Sequence, residues 1–150
     1  MENKISYNSP IGNLVITAED DAIVSLDWEK NTYISNNKVL IESVKQLDEY
    51  FKGKRKDFDL PISASGTEFS CKVWKEMMKI SYGKVLTYGD IARKLKSHPR
   101  AVGMACGKNP IPIFIPCHRV VGQTGALTGY SGGNGVKTKE ALLRLEGVQI

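Results

Sequence analysis

Apolar and polar positions alternate along residues 14–18 and again along residues 22–28, on either side of Asp20-Asp21. A period of two is typical of a strand with one buried face, so residues 4–28 predict β-structure. The period then changes, because Leu40, Val44, Leu47 and Phe51 recur at spacings of four, three and four. This spacing predicts a helix over residues 38–51. Residues 58–61 predict a further short strand.

The small residues 62–66 predict a linker, and they divide the chain into an α+β scaffold domain, 1–62, and a second domain, 67–150. The sequence of the second domain predicts a mostly helical structure. Helices begin near Thr67, at Thr87 and at Pro99, and a last one covers residues 136–145. The second and third of these, separated by a tight turn, predict a helix-turn-helix.

The third of these helices, residues 100–108, is rich in small residues, which cost helix stability. Two explanations stay open: close packing on a neighbouring element, or entry into a narrow DNA groove. A major-groove reader would carry more long polar side chains, so the pattern favours a minor-groove contact of low sequence specificity.

Charge separates the two halves of the chain. Residues 1–65 carry 8 basic and 11 acidic side chains, a net charge of −3, and residues 66–150 carry 13 basic and 5 acidic side chains, a net charge of +8. A basic half favours a polyanionic partner such as nucleic acid. Three scattered cysteines and no apolar run of membrane-spanning length predict a reducing, cytoplasmic location.

Cys117 stands between Pro116 and His118-Arg119, after a proline-rich apolar run over residues 110–116. Prolines fix φ and remove donors, so this approach is predicted to be stiff and extended. A lone cysteine in an apolar run is usually a small buried hydrophobe, and Cys71 and Cys106 are interpreted in that way. A neighbouring base would instead make Cys117 a nucleophile.

The segment Pro-Cys-His-Arg-Val-Val resembles the active-site signature of the O6-alkylguanine-DNA alkyltransferases, also called methylated-DNA–protein-cysteine methyltransferases. Further family-like segments occur in order, namely 66–69, 82–84, 87–92, 100–103, 109–110, 129–133 and 142–147, and residues 50–53 and 58–61 match more loosely. The resemblance implies a ribonuclease-H-like antiparallel sheet with a helix, followed by a mostly helical domain with a helix-turn-helix.

The implied activity is DNA repair in a single turnover: an alkyl group moves irreversibly from guanine O6 of a flipped base in duplex DNA to Cys117. The resemblance implies that His118 acts as the base through a water, oriented by Glu146, and that the Tyr88 hydroxyl donates to guanine N3. Arg119 is expected to anchor structure. The resemblance implies that the substrate is contacted by Asn109, Val120, Tyr130 and Ser131. It implies that DNA is contacted by Thr87, Tyr88, Arg100, Ala101, Gly103, Met104 and Lys108.

More finely, the resemblance implies that the Ser131 backbone binds O6, that the carbonyls of Cys117 and Val120 accept from the exocyclic amine, and that Arg100 fills the gap left by the base. Asn109 holds the turn before the active-site segment, and Tyr130 lines the alkyl pocket. No cofactor or metal is expected, and the protein is expected to act as a monomer. Two rivals stay open: a non-catalytic helix-turn-helix sensor of alkylated bases, and a Cys–His hydrolase.

Overall fold

The computed structural model describes residues 2–150. The chain begins with an antiparallel meander in the order β1-β2-β3, with a bulge at Thr17-Ala18. The elements are β1 Glu2–Ser9, β2 Gly12–Glu19, β3 Ala22–Trp28, α1 Lys38–Phe51, α2 Glu68–Met78, β4 Leu86–Thr87, α3 Tyr88–Leu95, α4 Pro99–Gly107, β5 Val120–Val121 and α5 Val136–Leu145. This architecture confirms the predicted α+β class.

The helices begin where side chains can satisfy the unpaired amides of a first turn. Asn37 accepts from the backbone of Val39 and Leu40 at the start of α1, and Thr67 accepts from Ser70 at the start of α2. Thr87 and Asp90 form a reciprocal capping box on α3. A left-handed residue, Lys96, ends α3 and permits the tight turn into α4. These local interactions build the predicted helix-turn-helix.

The strand predicted at residues 58–61 is absent from the structure. The side chain of Gln46 binds both backbone groups of Asp59, at 2.9 Å and 3.1 Å, which removes the need for a neighbouring strand. The one bridge in this region pairs Ile62 with Ile23 of β3. The start of the linker is therefore tied to the sheet.

The run over residues 110–116 is not extended throughout, contrary to the prediction. The amide of Ile115 donates to the carbonyl of Ile111, Pro112 bridges Ile115, and Ile113 has φ of 74°. Prolines restrict φ but do not prevent a turn between them. The chain therefore folds back before it reaches Cys117.

One cluster of buried side chains continues through both halves of the described chain. It includes Leu14 and Leu47 from the first half, and Trp74, Ile91 and Leu142 from the second. Trp74 also donates to the carbonyl of Ala105 at 3.0 Å, which fixes α4 on α2. None of the helices within residues 2–150 is long and apolar enough to cross a bilayer.

Candidate active site

Cys117 lies in a single 3-10 turn, Cys117–Arg119, directly after the run that was predicted to be extended. Its side chain is 7% exposed and borders a cavity of about 340 Å³. The cavity is lined from both halves of the chain, by Leu26, Asp27, Trp28, Cys106, Asn109, Pro112, Cys117, Gly129, Tyr130, Ser131, Gly132 and Gly133. A partly enclosed space beside a buried thiol is a place where a small organic group can be held.

Asn109 holds the segment that leads into this turn. Its side-chain oxygen accepts from the amide of Ile111 at 2.9 Å, and its side-chain nitrogen donates to the carbonyl of Ile115 at 2.9 Å. Both ends of the fold-back are thus fixed by one side chain at the end of α4.

Glu146 is the centre of a buried network below the turn. Its Oε2 atom lies 2.8 Å from His118 Nε2 and 3.0 Å from Arg119 Nη2, and its Oε1 atom accepts from Arg119 Nε at 2.8 Å. The Tyr50 hydroxyl donates to Oε2 at 2.6 Å. The structure therefore brings together the His118 and Glu146 predicted from the sequence, and Arg119 serves as an anchor that also binds the carbonyl of Ile80 at 2.6 Å.

The protonation states follow from burial and these contacts. Burial acts to raise the pKa of Glu146, but the hydrogen bonds from His118 and Arg119 outweigh it and hold this pKa at about 2. Burial lowers the pKa of His118, although Glu146 opposes it. His118 is therefore a neutral imidazole that donates from Nε2 to an ionised carboxylate, which makes Nδ1 the proton acceptor. Nδ1 is buried and has no hydrogen-bond partner within residues 2–150.

Cys117 rests as a thiol. Burial raises its pKa, and the Asn109 amide and the Lys139 ammonium act in the opposite direction. A neutral thiol beside a neutral imidazole can be activated by proton transfer, because the imidazolium formed would face the Glu146 carboxylate.

Lys139 is a site residue that the sequence did not indicate. It lies in α5, is 1% exposed, and its Nζ donates to the carbonyl of Thr128 at 2.7 Å and to the Tyr88 hydroxyl at 3.4 Å. Tyr88 in turn donates to Thr128 at 2.9 Å. In sequence Lys139 looks like one of several helix-surface lysines, and only its position one turn from apolar Leu142-Leu143 could have indicated that it faces inward.

Trp28 is a second contribution that the sequence did not assign to the site. Its indole nitrogen donates to the carbonyl of Ile11 at 3.0 Å, and its ring meets Tyr130 edge-on, with ring centroids 6.2 Å apart. A Cβ atom on Gly132 would overlap Cζ3 of the indole and lie 2.7 Å from its Cη2 atom, so only glycine fits at this position. The glycine-rich loop, residues 129–135, is thereby packed against the first half of the chain.

Three of the residues predicted to contact DNA lie on the exposed side of α4 and at its C-terminal end. Arg100, Met104 and Lys108 are exposed along α4, whereas Val102 and Cys106 point into the core. A Cβ atom on Gly103 would meet nothing within 4 Å, so close packing does not require this glycine. Thr87 differs from the rest, because its side chain and backbone are used in the capping box of α3.

The other predicted substrate residues lie around the cavity and the turn. Tyr130 and Ser131 line the cavity, and Val120 is buried in β5 directly after the turn. β5 pairs in parallel with β4, which joins Val120 to Leu86 and Val121 to Thr87. Within residues 2–150 no group of three or more His, Cys, Asp or Glu side chains could hold a metal ion.

The two halves match two family models. Residues 4–64 match the ribonuclease-like domain of 6-O-methylguanine DNA methyltransferase, and residues 68–148 match the DNA binding domain of the same family. Among curated proteins, the methylated-DNA–protein-cysteine methyltransferase of Metallosphaera sedula is 47% identical over 95% of this chain and 91% of its own length. The constitutive enzyme of that name from Bacillus subtilis is 43% identical over 92% of this chain and 91% of its own length.

Solved structures give the same result. The O6-methylguanine methyltransferase of Mycobacterium tuberculosis superposes with a TM-score of 0.85 at 38% identity, covering 97% of this chain and 93% of its own. The M. tuberculosis protein in complex with DNA gives a TM-score of 0.85 at 39% identity, covering 95% of this chain and 91% of its own. This chain therefore belongs to the 6-O-methylguanine DNA methyltransferase family.

Proposed function

We propose that Cys117 is the alkyl acceptor of this chain and that His118 is the base that activates it. The chain is a DNA repair protein, a methylated-DNA–protein-cysteine methyltransferase that acts on O6-alkylguanine. One observation carries the assignment of residues: His118 Nε2 is engaged by Glu146, which leaves the buried Nδ1 as the one ring nitrogen able to take a proton within the turn that holds Cys117. A nucleophile, a base and an orienting carboxylate then occupy one site.

The reaction exchanges one bond for another. The Cys117 proton passes to His118 through a water, the sulfur attacks the alkyl carbon, and the bond from that carbon to guanine O6 breaks as the S–C bond forms. Guanine leaves as its anion and takes up a proton from water, and the His118 imidazolium returns its proton to water. Glu146 stabilises the imidazolium, and Lys139 adds positive charge near the thiolate. A thioether is not opened by thiol exchange, so each chain reacts once.

The guanine is expected to enter the cavity beside Cys117, with Tyr130 against the alkyl group and the Ser131 backbone at O6. The carbonyls of Cys117 and Val120 accept from the exocyclic amine. The Tyr88 hydroxyl must change its hydrogen-bond acceptor to bind guanine, because it donates to the carbonyl of Thr128. It donates to guanine N3 only when the base replaces Thr128 as its acceptor.

DNA is the partner, and α4 is the element proposed to enter the minor groove with little sequence preference. Support comes from the open Cβ position of Gly103 and from the exposed Arg100, Met104 and Lys108 beside it. Small residues allow the backbone to approach the groove floor, and Arg100 occupies the space of the flipped nucleotide. We further propose that the protein acts as a monomer. Residues 67–150 form the DNA-binding and transfer domain, and residues 1–62 form the scaffold. The three free cysteines support a cytoplasmic location.

The test is intact-protein mass spectrometry after incubation with a duplex that carries one O6-methylguanine. The native chain should gain the mass of one methylene, on the Cys117 peptide and at one per chain, and Cys117→Ala should gain none while it still binds the duplex. Turnover of an ester or peptide would instead favour the Cys–His hydrolase. DNA binding with no mass gain on the native chain would favour the sensor.

The part of Arg100 is tested separately with two substrates. Arg100→Ala should slow transfer from the duplex by about tenfold or more, yet leave transfer from O6-benzylguanine as a free base unchanged, because a free base needs no rotation out of a stack. Arg144→Ala removes a charge from an exposed position of α5 and is the matched control. Equal slowing on both substrates would contradict the proposed part of Arg100.

A further inference from the structure

Tyr50 is the one residue of the first 62 whose side chain bonds the buried Glu146 network within the described residues. It lies in the last turn of α1, 96 positions before Glu146 in the chain, and is fully buried. Its hydroxyl donates to the same oxygen, Oε2, that accepts from His118 Nε2. A side chain from the scaffold half therefore competes with the base for one carboxylate oxygen.

We propose that Tyr50 is a positioning residue for the transfer reaction, whose hydroxyl withdraws part of the charge of Glu146 from His118 and thereby sets how readily His118 accepts a proton. The alkyl-transfer consequence rests on the proposed function. The effect on His118 itself does not, since it depends only on the network that the structure contains.

The geometry distinguishes this role of the Tyr50 hydroxyl from a purely structural one. Arg119 already holds Glu146 through both carboxylate oxygens, at 2.8 Å and 3.0 Å. Loss of the Tyr50 hydroxyl would leave that bidentate grip intact, so the carboxylate should stay in place. What changes is the number of donors on Oε2, and with it the negative charge that faces the imidazole.

The aromatic ring of Tyr50 has its own neighbours. It packs against Phe51, Phe58 and Tyr82, with centroid distances of 5.2, 5.1 and 6.2 Å. Phenylalanine preserves all of these ring contacts, which makes Tyr50→Phe a variant that removes only the hydroxyl. Glu146 keeps its bonds to His118 and Arg119 and is not left unsatisfied.

The charged and titratable groups around the His118–Glu146 pair come from four parts of the chain. Glu146 and Lys139 approach from α5 and its end, Arg119 and Cys117 from the turn itself, and Tyr50 and Tyr82 from α1 and the segment after α2. Burial and then the Glu146 charge raise the pKa of Tyr50, so its hydroxyl stays protonated and can only donate. Arg119, held to Glu146, remains a constant charge.

The experiment is an NMR titration of the histidine rings in the native chain and in Tyr50→Phe. The chain has two histidines, and exposed His98 provides an internal reference. The His118 midpoint should move up by about one pH unit in the variant. The acidic limb of the transfer rate should move in the same direction.

Tyr7→Phe is the matched control. Tyr7 also donates to a carboxylate, Asp48 at 3.0 Å, in the same half of the chain but outside the site. It should lower stability without moving the His118 midpoint. An unmoved midpoint in Tyr50→Phe, or transfer that slows equally at every pH together with a lower Tm, would overturn the proposal. A moved midpoint in a chain that transfers no alkyl group would instead count against the proposed function alone.

Discussion

Trp28 of β3 packs against Gly132 of the glycine-rich loop, so that a Cβ atom on the glycine would overlap Cζ3 of the indole and stand 2.7 Å from its Cη2 atom. The contact joins the sheet of the first half to the loop that carries Tyr130 and Ser131. It gives a local reason for the glycine that does not depend on backbone strain.

Gly132→Ala should therefore force either the loop or Trp28 to shift. We expect a loss of about 1–3 kcal/mol in the free energy of unfolding, the range found for overpacked contacts. Chemical denaturation measures this loss, and the double variant Gly132→Ala with Trp28→Leu should recover part of it. Gly107→Ala is the control, because a Cβ atom there meets nothing within 4 Å. An equal loss at both glycines would show that the indole contact is not the cause.

Trp28 should also limit the size of the alkyl group that the cavity accepts. Its ring stands edge-on to Tyr130 at the cavity wall, so Trp28→Ala enlarges the space beside Cys117. The ratio of the benzyl transfer rate to the methyl transfer rate, each measured on duplex DNA, should rise by about tenfold. A ratio that does not change, with methyl transfer intact, would place the alkyl group elsewhere in the cavity.

Lys139 should act on the thiol through its charge. Lys139→Met keeps most of the side-chain volume but removes the ammonium that opposes the raised pKa of Cys117, and it breaks the bonds to Thr128 and Tyr88. Methyl transfer near neutral pH should slow by about tenfold, and labelling of Cys117 by a small alkylating reagent should need a higher pH. Lys137→Met, at an exposed position of the same helix, should match the native chain in both assays.

Acid should destabilise the protein in two stages. The pKa of His118 is lowered in the folded state, so its contribution to stability is present above pH 6.5 and is lost as the pH falls below that value. The pKa of Glu146 is lowered from 4.5 to about 2, so its contribution is lost between these values. This lowering of the Glu146 pKa corresponds to about 3 kcal/mol in the free energy of unfolding.

Denaturant unfolding at a series of pH values measures both stages. Glu146→Gln should flatten the stage between pH 5 and pH 2, because the group that titrates there has gone. Glu140→Gln, which removes an exposed carboxylate paired with Arg144, should keep the native profile. The assignment to Glu146 would be wrong if both variants gave the same curve.

The sequence predicted those parts of the molecule that local patterns govern. The bounds of α1 and α5 match the predictions because apolar spacing and flanking residues decide them within one segment. The pairing of His118 with Glu146 was implied by a family-like motif and not by spacing. The two-residue strands β4 and β5 were missed because no period can be read from two positions.

The missed site residues share a different cause. Tyr50, Trp28 and Lys139 act through contacts made by distant parts of the chain, and each has a plausible local explanation as a helix or strand residue. The 3-10 turn at Cys117 was missed because prolines suggested extension, whereas the Asn109 side chain and a left-handed Ile113 fold the chain back. Tertiary contacts decided these cases, and single-sequence patterns do not contain them.

The parallel pairing of β4 with β5 connects the segment that follows Cys117 to the segment that begins the helix-turn-helix. Val120, three positions after Cys117, pairs with Leu86, and Val121 pairs with Thr87, the residue that caps α3. If an alkyl group added at Cys117 displaces Val120, the pairing with Leu86 would pass that displacement to Thr87 and the start of α3. We therefore expect the alkylated protein to differ from the unreacted protein at the start of α3, which belongs to the helix-turn-helix.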